Sequence, residues 1–301
     1  MRVRSWFARQ SPLSRSILLI LLSMFCFALV DALGKAVALR YPANEVTFFR
    51  MAFGLIPAIA MCLGRGRPPV LARLRTLDLR GQTLRALTLL GASGLFFAGL
   101  PHLPLSEAVA IVYSEALFVI VLAPIVLRET LQRRSIVAAV AGFIGVLLVV
   151  RPQGAQSSAL GAALLLGSAL CGAFSMIQIR RIRASDDSSM TVLFFTVFGT
   201  VATGLSLLLA WRAPSFGDLL VMALLGLFAT AGQLLYTIAV RGADAAVLAP
   251  YSYTSIIWAT IFGYLVWGET VPFLSALGIG LIVGGSIAVA IREEPPEGPA
   301  L

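Results

Sequence analysis

A chain of 301 residues that is 59% hydrophobic and 12% charged, with mean hydropathy +0.93, cannot be a water-soluble domain. In such domains roughly half the residues are apolar and about a quarter charged. The net charge of +9 comes from basic residues spread singly and in short clusters between apolar runs, which excludes the continuous basic stripe of a nucleic-acid binder and fits charge that orients a membrane protein.

The N-terminal tail carries Arg2, Arg4, Arg9 and Arg15 and leads directly into apolar residues. This resembles a secretory signal, but the run continues past Ala32-Leu33-Gly34, so it is read as a retained helix. A bilayer-spanning helix needs about 20 mostly apolar residues. On that criterion the chain holds ten spans: Ser16 to Ala38, Val46 to Leu63, Leu84 to Leu100, Ser106 to Leu127, Ser135 to Val150, Ala159 to Ile179, Met190 to Trp211, Phe216 to Val240, Ala245 to Trp267 and Phe273 to Ile291. Helices are expected because hydrocarbon offers no water to backbone amides and carbonyls, and the alternation of a membrane β-barrel is missing. The connection from Gly64 to Thr83, with Pro68-Pro69, is expected to lie on the membrane surface, and Glu293 to Leu301 to be a disordered tail. Cys26, Cys62 and Cys171 fall within apolar runs without paired spacing, so neither disulfides nor a zinc site is implied.

With the N-terminus in the cytoplasm, inside connections collect most arginines, among them Arg65, Arg128, Arg180 and Arg241, whereas outside ones keep only Arg40, Arg151 and Arg212. The positive-inside rule then places both termini in the cytoplasm of a multi-pass inner-membrane protein. The chain also repeats itself. Ser23, Cys26, Ala28, Lys35 and Phe53 return at one constant offset as Ser168, Cys171, Ala173, Arg180 and Phe198, and Glu129-Thr130 closes the fourth span as Glu269-Thr270 closes the ninth. The predicted fold is therefore an all-α polytopic membrane protein with ten transmembrane helices in two five-helix repeats, residues 16–150 and 159–291. An odd number of spans per repeat inverts the second copy.

Ten spans in two halves, the run Ala249-Pro250-Tyr251-Ser252-Tyr253 and the endings Leu127-Arg128-Glu129 and Trp267-Gly268-Glu269 together resemble the drug/metabolite transporter superfamily, EamA type. Asp31, Lys35, Pro42 and Arg50 are similar to the pattern of its bacterial subfamilies that take up S-adenosylmethionine or riboflavin; other members export amino acids. The resemblance implies a secondary carrier with a central cavity. The chain departs from many relatives in having Glu115-Ala116-Leu117 where they carry a proline in the fourth span.

Ionisable residues at membrane depth are costly and usually face a wet interior. Glu115 is the deepest, and is read as a proton-coupling or substrate-binding carboxylate, or else a structural carboxyl. Asp31 and Lys35 stand four apart on the first span, where a local ion pair is favoured over a substrate contact. Arg50 can hold a substrate carboxylate bidentately, or partner Asp31 or Glu115. Tyr113 precedes Glu115, and Tyr251, Thr254, Ser255 and Trp258 share one face of the ninth span by their spacing; interfacial anchoring competes for Tyr251 and Tyr253. Gln233 and Gln178 offer hydrogen bonds, to substrate or to a neighbouring helix, and Gly280 and Gly284, like Ala138 and Gly142, suggest close helix packing.

The expected partners are a small-molecule substrate (amino acid, S-adenosylmethionine or flavin-like), the lipid bilayer and a coupling proton. No cofactor, metal or catalytic residue and no nucleic acid is implied, and nothing specifies an oligomeric state. Two alternatives stand beside this. Gly91-Ala92-Ser93-Gly94 matches the G-x-S-G of intramembrane serine proteases, although His102, the one histidine, lies between Pro101 and Pro104 in a short connection. A channel would want a filter sequence or rings of charge, neither of which is seen.

Overall fold

The computed structural model describes residues 12–63, 72–73, 77–127, 137, 140–142, 144–145, 147–148, 158–181, 188–242 and 251–290. Among them the chain is all-helical. The helices are α1 (Pro12–Ala38), α2 (Ala43–Cys62), α3 (Leu79–Gly99) running into a 3-10 turn (Leu100–His102), α4 (Leu105–Val112), α5 (Glu115–Leu127), α6 (Ala159–Arg181), α7 (Ser188–Ser206), α8 (Phe216–Gly242), α9 (Thr254–Trp267) and α10 (Phe273–Ala290). Described residues at 137, 140–142, 144–145 and 147–148 are helical too. Glu129, Thr130 and Pro250, the Pro68-Pro69 stretch and the tail from Glu293 lie outside the described residues.

Polar punctuation sets where these apolar runs start and stop. Asp78 caps α3 by accepting from Gly81 N–H at 3.1 Å, and Ser158 Oγ accepts from Gly161 N–H at 3.3 Å at the head of α6. Pro42 and Pro104 stand immediately before α2 and α4, where a missing N–H costs nothing. At the end of α9, Gly268 takes φ 67°, a left-handed conformation open to glycine. Its N–H donates to Tyr264 O and that of Glu269 to Gly263 O, at 3.0 and 3.1 Å, which turns the Glu269 carboxylate back toward the helices.

Six helical stretches, Leu13–Ala38, Ala43–Cys62, Leu79–His102, Ala159–Gln178, Ser189–Ser206 and Phe216–Tyr236, are long and apolar enough to cross a membrane; Thr254–Trp267 and Phe273–Gly284 are shorter apolar helices. Large apolar side chains point outward along them, Ile56 at 70% exposure and Val201 and Ile257 at 60%. Such a surface suits lipid rather than water. Polar groups inside are satisfied locally: Thr196, Thr200 and Thr203 of α7 each donate to the carbonyl four residues back.

The principal contacts join helices distant in sequence: α1 lies along α8, α3 along α6, and α2 against α7 and α8. Glycine makes the closest approach. A Cβ at Gly226 of α8 would stand 2.8 Å from Arg50 O and 2.9 Å from Gly54 N of α2.

Two sequence expectations change here. The fourth span is not one helix: α4 and α5 are separated by a turn at Tyr113–Ser114, where Ser114 N–H donates three residues back to Ile111 O at 3.0 Å. No proline or glycine occupies the break. The cause is tertiary, because Tyr113 is held by another element. The second change concerns the glycine pair. A Cβ on Gly280 or Gly284 would meet no described residue within 4 Å, whereas one on Gly145 would reach Gly278 O at 2.6 Å, so among the described residues the close contact of α10 runs through Gly145 and Gly278. Gly145→Ala is therefore expected to cost about 1–3 kcal/mol, as overpacking does. Gly280→Ala should stay within about 0.5 kcal/mol of wild type. Reversible unfolding in detergent measures both.

Candidate functional site

The polar residues of the interior fall in three levels. At the level of the α1 C-terminus, Lys35 is 4% exposed, and its Nζ donates to Leu103 O at 2.7 Å and to Glu269 Oε1, with which it forms an ion pair. The ammonium also lies 5.2 Å from the Trp267 ring centroid. Glu269 Oε2 accepts from Leu105 N–H at 2.7 Å, so the carboxylate that neutralises Lys35 also caps α4. Nearby, buried Glu107 accepts from Ser275 Oγ at 2.7 Å. Three segments of chain thus meet at one ion pair. This overturns the expected Asp31–Lys35 pair: spacing permits it, but the Glu269 carboxylate and the Leu103 carbonyl together offer the ammonium a fuller set of acceptors.

Arg40 and Arg212 gather at the same end of the bundle. Asp218 accepts from Tyr41 Oη and pairs with Arg40, both at 2.7 Å, and Arg212 donates its backbone N–H to Glu45 Oε2 at 2.9 Å and an Nη1 hydrogen to Arg40 O at 2.8 Å. These contacts hold the α1–α2 turn against the start of α8.

One turn deeper on α1, Asp31 is half-buried and makes no hydrogen bond or ion pair with a described residue; Arg50 lies half-buried on α2. Arg50 donates from Nη1 to Ser93 Oγ at 2.7 Å, and its guanidinium lies 5.8 Å from the Phe97 ring centroid. Its Nε is buried and has no partner among the described residues. Ser93, the serine of the G-x-S-G tetrapeptide, therefore has an arginine as its neighbour. His102 stands in the 3-10 turn beyond the end of α3, against Gly161. This geometry lacks the nucleophile–base contact that a serine protease needs.

The deepest level is the break in the fourth span. Tyr113 Oη donates to Ser252 O at 2.8 Å and exchanges a hydrogen bond with Ser255 Oγ at 2.5 Å, while its ring lies 5.2 Å from that of Tyr253. Tyr253 is itself a turn residue, between helical 251–252 and α9. Two interrupted helices therefore meet tyrosine to tyrosine. Glu115, first residue of α5, is half-buried and makes no hydrogen bond or ion pair with a described residue; the absent side chain of Gly172 leaves room for its carboxyl, which a Cβ there would strike.

The remaining candidates divide. Trp258 packs edge-on against Phe25 at 5.0 Å and stacks with Phe262 at 6.2 Å. Tyr251 belongs to a separate cluster with Ile20, Met24 and Ala239, so the single polar face predicted for Tyr251, Thr254, Ser255 and Trp258 is split by the turn at Tyr253. Gln233 is half-buried on α8 beside Gly232, whose carbonyl accepts from Ser23. Ser93 as the Arg50 partner and Ser255 as the Tyr113 partner were not assigned those roles from sequence; Glu269 was legible only as a repeat marker. Among the described residues no three His, Cys, Asp or Glu gather in a metal-binding group.

The pattern of the EamA-like transporter family matches residues 14–151 and again 159–291. The chain belongs to this family. Proteins similar to it include the pseudopaline exporter CntI of Pseudomonas aeruginosa, 27% identical over 92% of this chain and 96% of that protein. The S-adenosylmethionine uptake transporter of Rickettsia prowazekii is 24% identical over 91% and 92%, and the riboflavin transporter of Rhizobium johnstonii 27% identical over 85% and 83%. A crystal structure 20% identical in sequence, covering 94% of this chain and 98% of its own, aligns with a TM-score of 0.65 and shares the fold. Together with the six membrane-length helices, the family identifies a multi-pass membrane transporter, and these kinships argue against an enzyme.

Removing one member of a buried ion pair strands the other, at about 3–5 kcal/mol. Lys35→Met or Glu269→Gln should therefore destabilise the protein by about that much, and Lys35→Met/Glu269→Leu by less than the sum. Asp31→Asn should leave the Lys35 coupling intact. A double-mutant cycle on thermal unfolding tests all three.

Proposed function

We propose that this EamA-like protein is a secondary carrier that moves a small organic metabolite across the inner membrane by alternating access, with both termini cytoplasmic. The observation that carries this reading is the meeting of two interrupted helices at Tyr113 and Tyr253, with half-buried charges close by and an ion pair at one end. Broken helices are tolerated at membrane depth where they line a cavity, and carriers place substrate sites there. A channel would gain nothing from the Lys35–Glu269 pair tying α1 to the α9–α10 turn.

An inverted pair of five-helix repeats, 16–150 and 159–291, is supported by the double family match and by the contacts. The packing of α1 on α8 mirrors that of α6 on α3, and Tyr113 and Tyr253 stand at equal distances before Glu129 and Glu269. In this reading the halves rock about the shared site, and the structure is the state closed at the Lys35 end.

Substrate enters among Asp31, Arg50, Tyr113 and Trp258, with Gln233 and Tyr251 further out. Pseudopaline, S-adenosylmethionine and riboflavin, named for the relatives, set the size class. Glu115 is the proton-coupling group: a carboxyl without a protein partner among the described residues is free to exchange its proton as the two sides open. Flux of labelled amino acids, S-adenosylmethionine and riboflavin into proteoliposomes under an imposed pH gradient tests both claims. Transport of one of these by the wild type, and loss of flux or of its pH response in a folded Glu115→Gln, is the expected result. Unchanged pH response in that variant removes Glu115 from the mechanism.

A further inference from the structure

The apolar surface of α7 does not stop where the helix stops. Val197, Val201 and Leu205 recur along it at four-residue spacing, all exposed, and Leu208 and Leu209, beyond its last residue Ser206, are 88% exposed each. Leu207, Leu208 and Leu209 donate their N–H groups three residues back, to Gly204 O, Leu205 O and Ser206 O at 3.3, 3.3 and 3.0 Å. These tighter turns carry the winding on and keep the stripe in line. From the other side α8 opens on Phe216, 81% exposed, and continues the pattern with exposed Leu220, Leu224 and Leu227. Trp211, also exposed, lies between the two stripes.

The connection 207–215 is gripped by its backbone, not by these side chains. Asn44 Nδ2 donates to Ser206 O and to Ala210 O, both at 3.0 Å. Arg212 N–H donates to Glu45 Oε2 at 2.9 Å and Ser215 N–H to Tyr41 Oη at 3.2 Å. A connection bathed in water turns its peptide groups outward and folds its leucines in. This one does the reverse: the α1–α2 turn and the start of α2 take its amides and carbonyls, and its largest apolar side chains are left outside.

The chemistry around the patch says what covers it. The patch prolongs the outward stripes of two membrane-length helices, and every residue from Leu207 to Trp211 is apolar. Tryptophan and then arginine follow, in the order met on crossing from acyl chains to headgroups. Phe273, 81% exposed, opens α10 at the same end of the bundle, shortly after the Glu269 that pairs with Lys35. Arg40 and Arg212 are exposed beside the patch, and a layer of lipid phosphates complements both guanidiniums. A second copy docked here about a twofold axis would instead bring four arginines together.

We propose that the α7–α8 connection is seated in the bilayer, at the boundary of acyl chains and headgroups in the leaflet at the Lys35 end. Phospholipid holds it from outside and the α1–α2 turn holds it from inside. This seat goes beyond the carrier reading and stands whether or not a solute is carried.

The test uses the full-length protein in vesicles of phosphatidylcholine and phosphatidylglycerol. An NBD fluorophore is placed on Leu209→Cys and, for comparison, on Val197→Cys in the middle of α7, with the unsubstituted protein labelled in parallel as the background from the native cysteines. The label at position 209 is expected to be quenched at least twofold more by lipid with a doxyl group near the headgroup end of its acyl chain than by lipid with the doxyl at the chain end. The order reverses at position 197, and iodide in the water quenches position 209 less than half as strongly as it quenches the free label. Quenching by iodide without a response to doxyl lipid puts the turn in water and overturns the proposal. Protection from both quenchers puts protein over the patch, a second copy of the chain included, and overturns it too. A depth profile at 209 equal to that at 197 overturns the boundary placement. Should Leu209→Cys fail to fold or to label, Trp211 decides: brominated lipid should remove more tryptophan emission from the unsubstituted protein than from Trp211→Phe, and equal loss overturns the seat.

Discussion

The ion pair of Lys35 with Glu269 is the interaction on which the rest of the interior depends. Burying an ammonium is costly, and this chain meets the cost with a carboxylate, a carbonyl and an aromatic face supplied by two segments distant from Lys35 in sequence. Once Lys35 is committed there, Asp31 one turn away loses its nearest cation in sequence. Once Glu269 is committed there, its second oxygen fixes where α4 begins. The entry of the fourth span, and through it the positions of Tyr113 and Glu115, follows from a contact made at the end of the ninth.

Charge in this protein is consequently graded along the bundle. At one end the charges are paired by contact, in the Lys35–Glu269 and Arg40–Asp218 bridges. Deeper in, Asp31 has no ion-pair partner among the described residues and Arg50 donates to Ser93. Deepest, Glu115 stands without a described counter-charge beside the tyrosine pair. The contact pairs tie distant segments of the fold together, whereas Asp31 and Glu115 make no hydrogen bond or ion pair with a described residue. The difference does not lie in residue type, since aspartate, glutamate and arginine occur in both sets.

Much of this was legible from the chain alone. Apolar run length pointed to an all-helical membrane chain, of which six membrane-length helices are described, and the Glu-Thr endings with the Tyr-Ser-Tyr run pointed to the family that the comparison with known proteins identifies. The spacing of Glu115, Asp31 and Arg50 within apolar spans also marked them as residues needing an explanation. What could not be read was partnership. The four-residue spacing of Asp31 and Lys35 is real, but a nearest neighbour in sequence loses to a better-solvating site folded in from far away. The break at Tyr113 carries no glycine or proline and comes from hydrogen bonds to the ninth span, so no local signal could disclose it. The Gly280–Gly284 spacing, by contrast, is a local signal without a described contact behind it.

Gly226 leaves α8 close enough that its backbone abuts the carbonyl of Arg50 itself. The arginine is thus backed by a surface belonging to a distant part of the chain, while its guanidinium reaches the other way to Ser93. Any displacement of α8 toward α2 is transmitted to the root of that side chain with no compressible layer between. The location of the positive pole is registered to α8 as firmly as to its own helix, and a shift between them carries the charge along rather than leaving it behind.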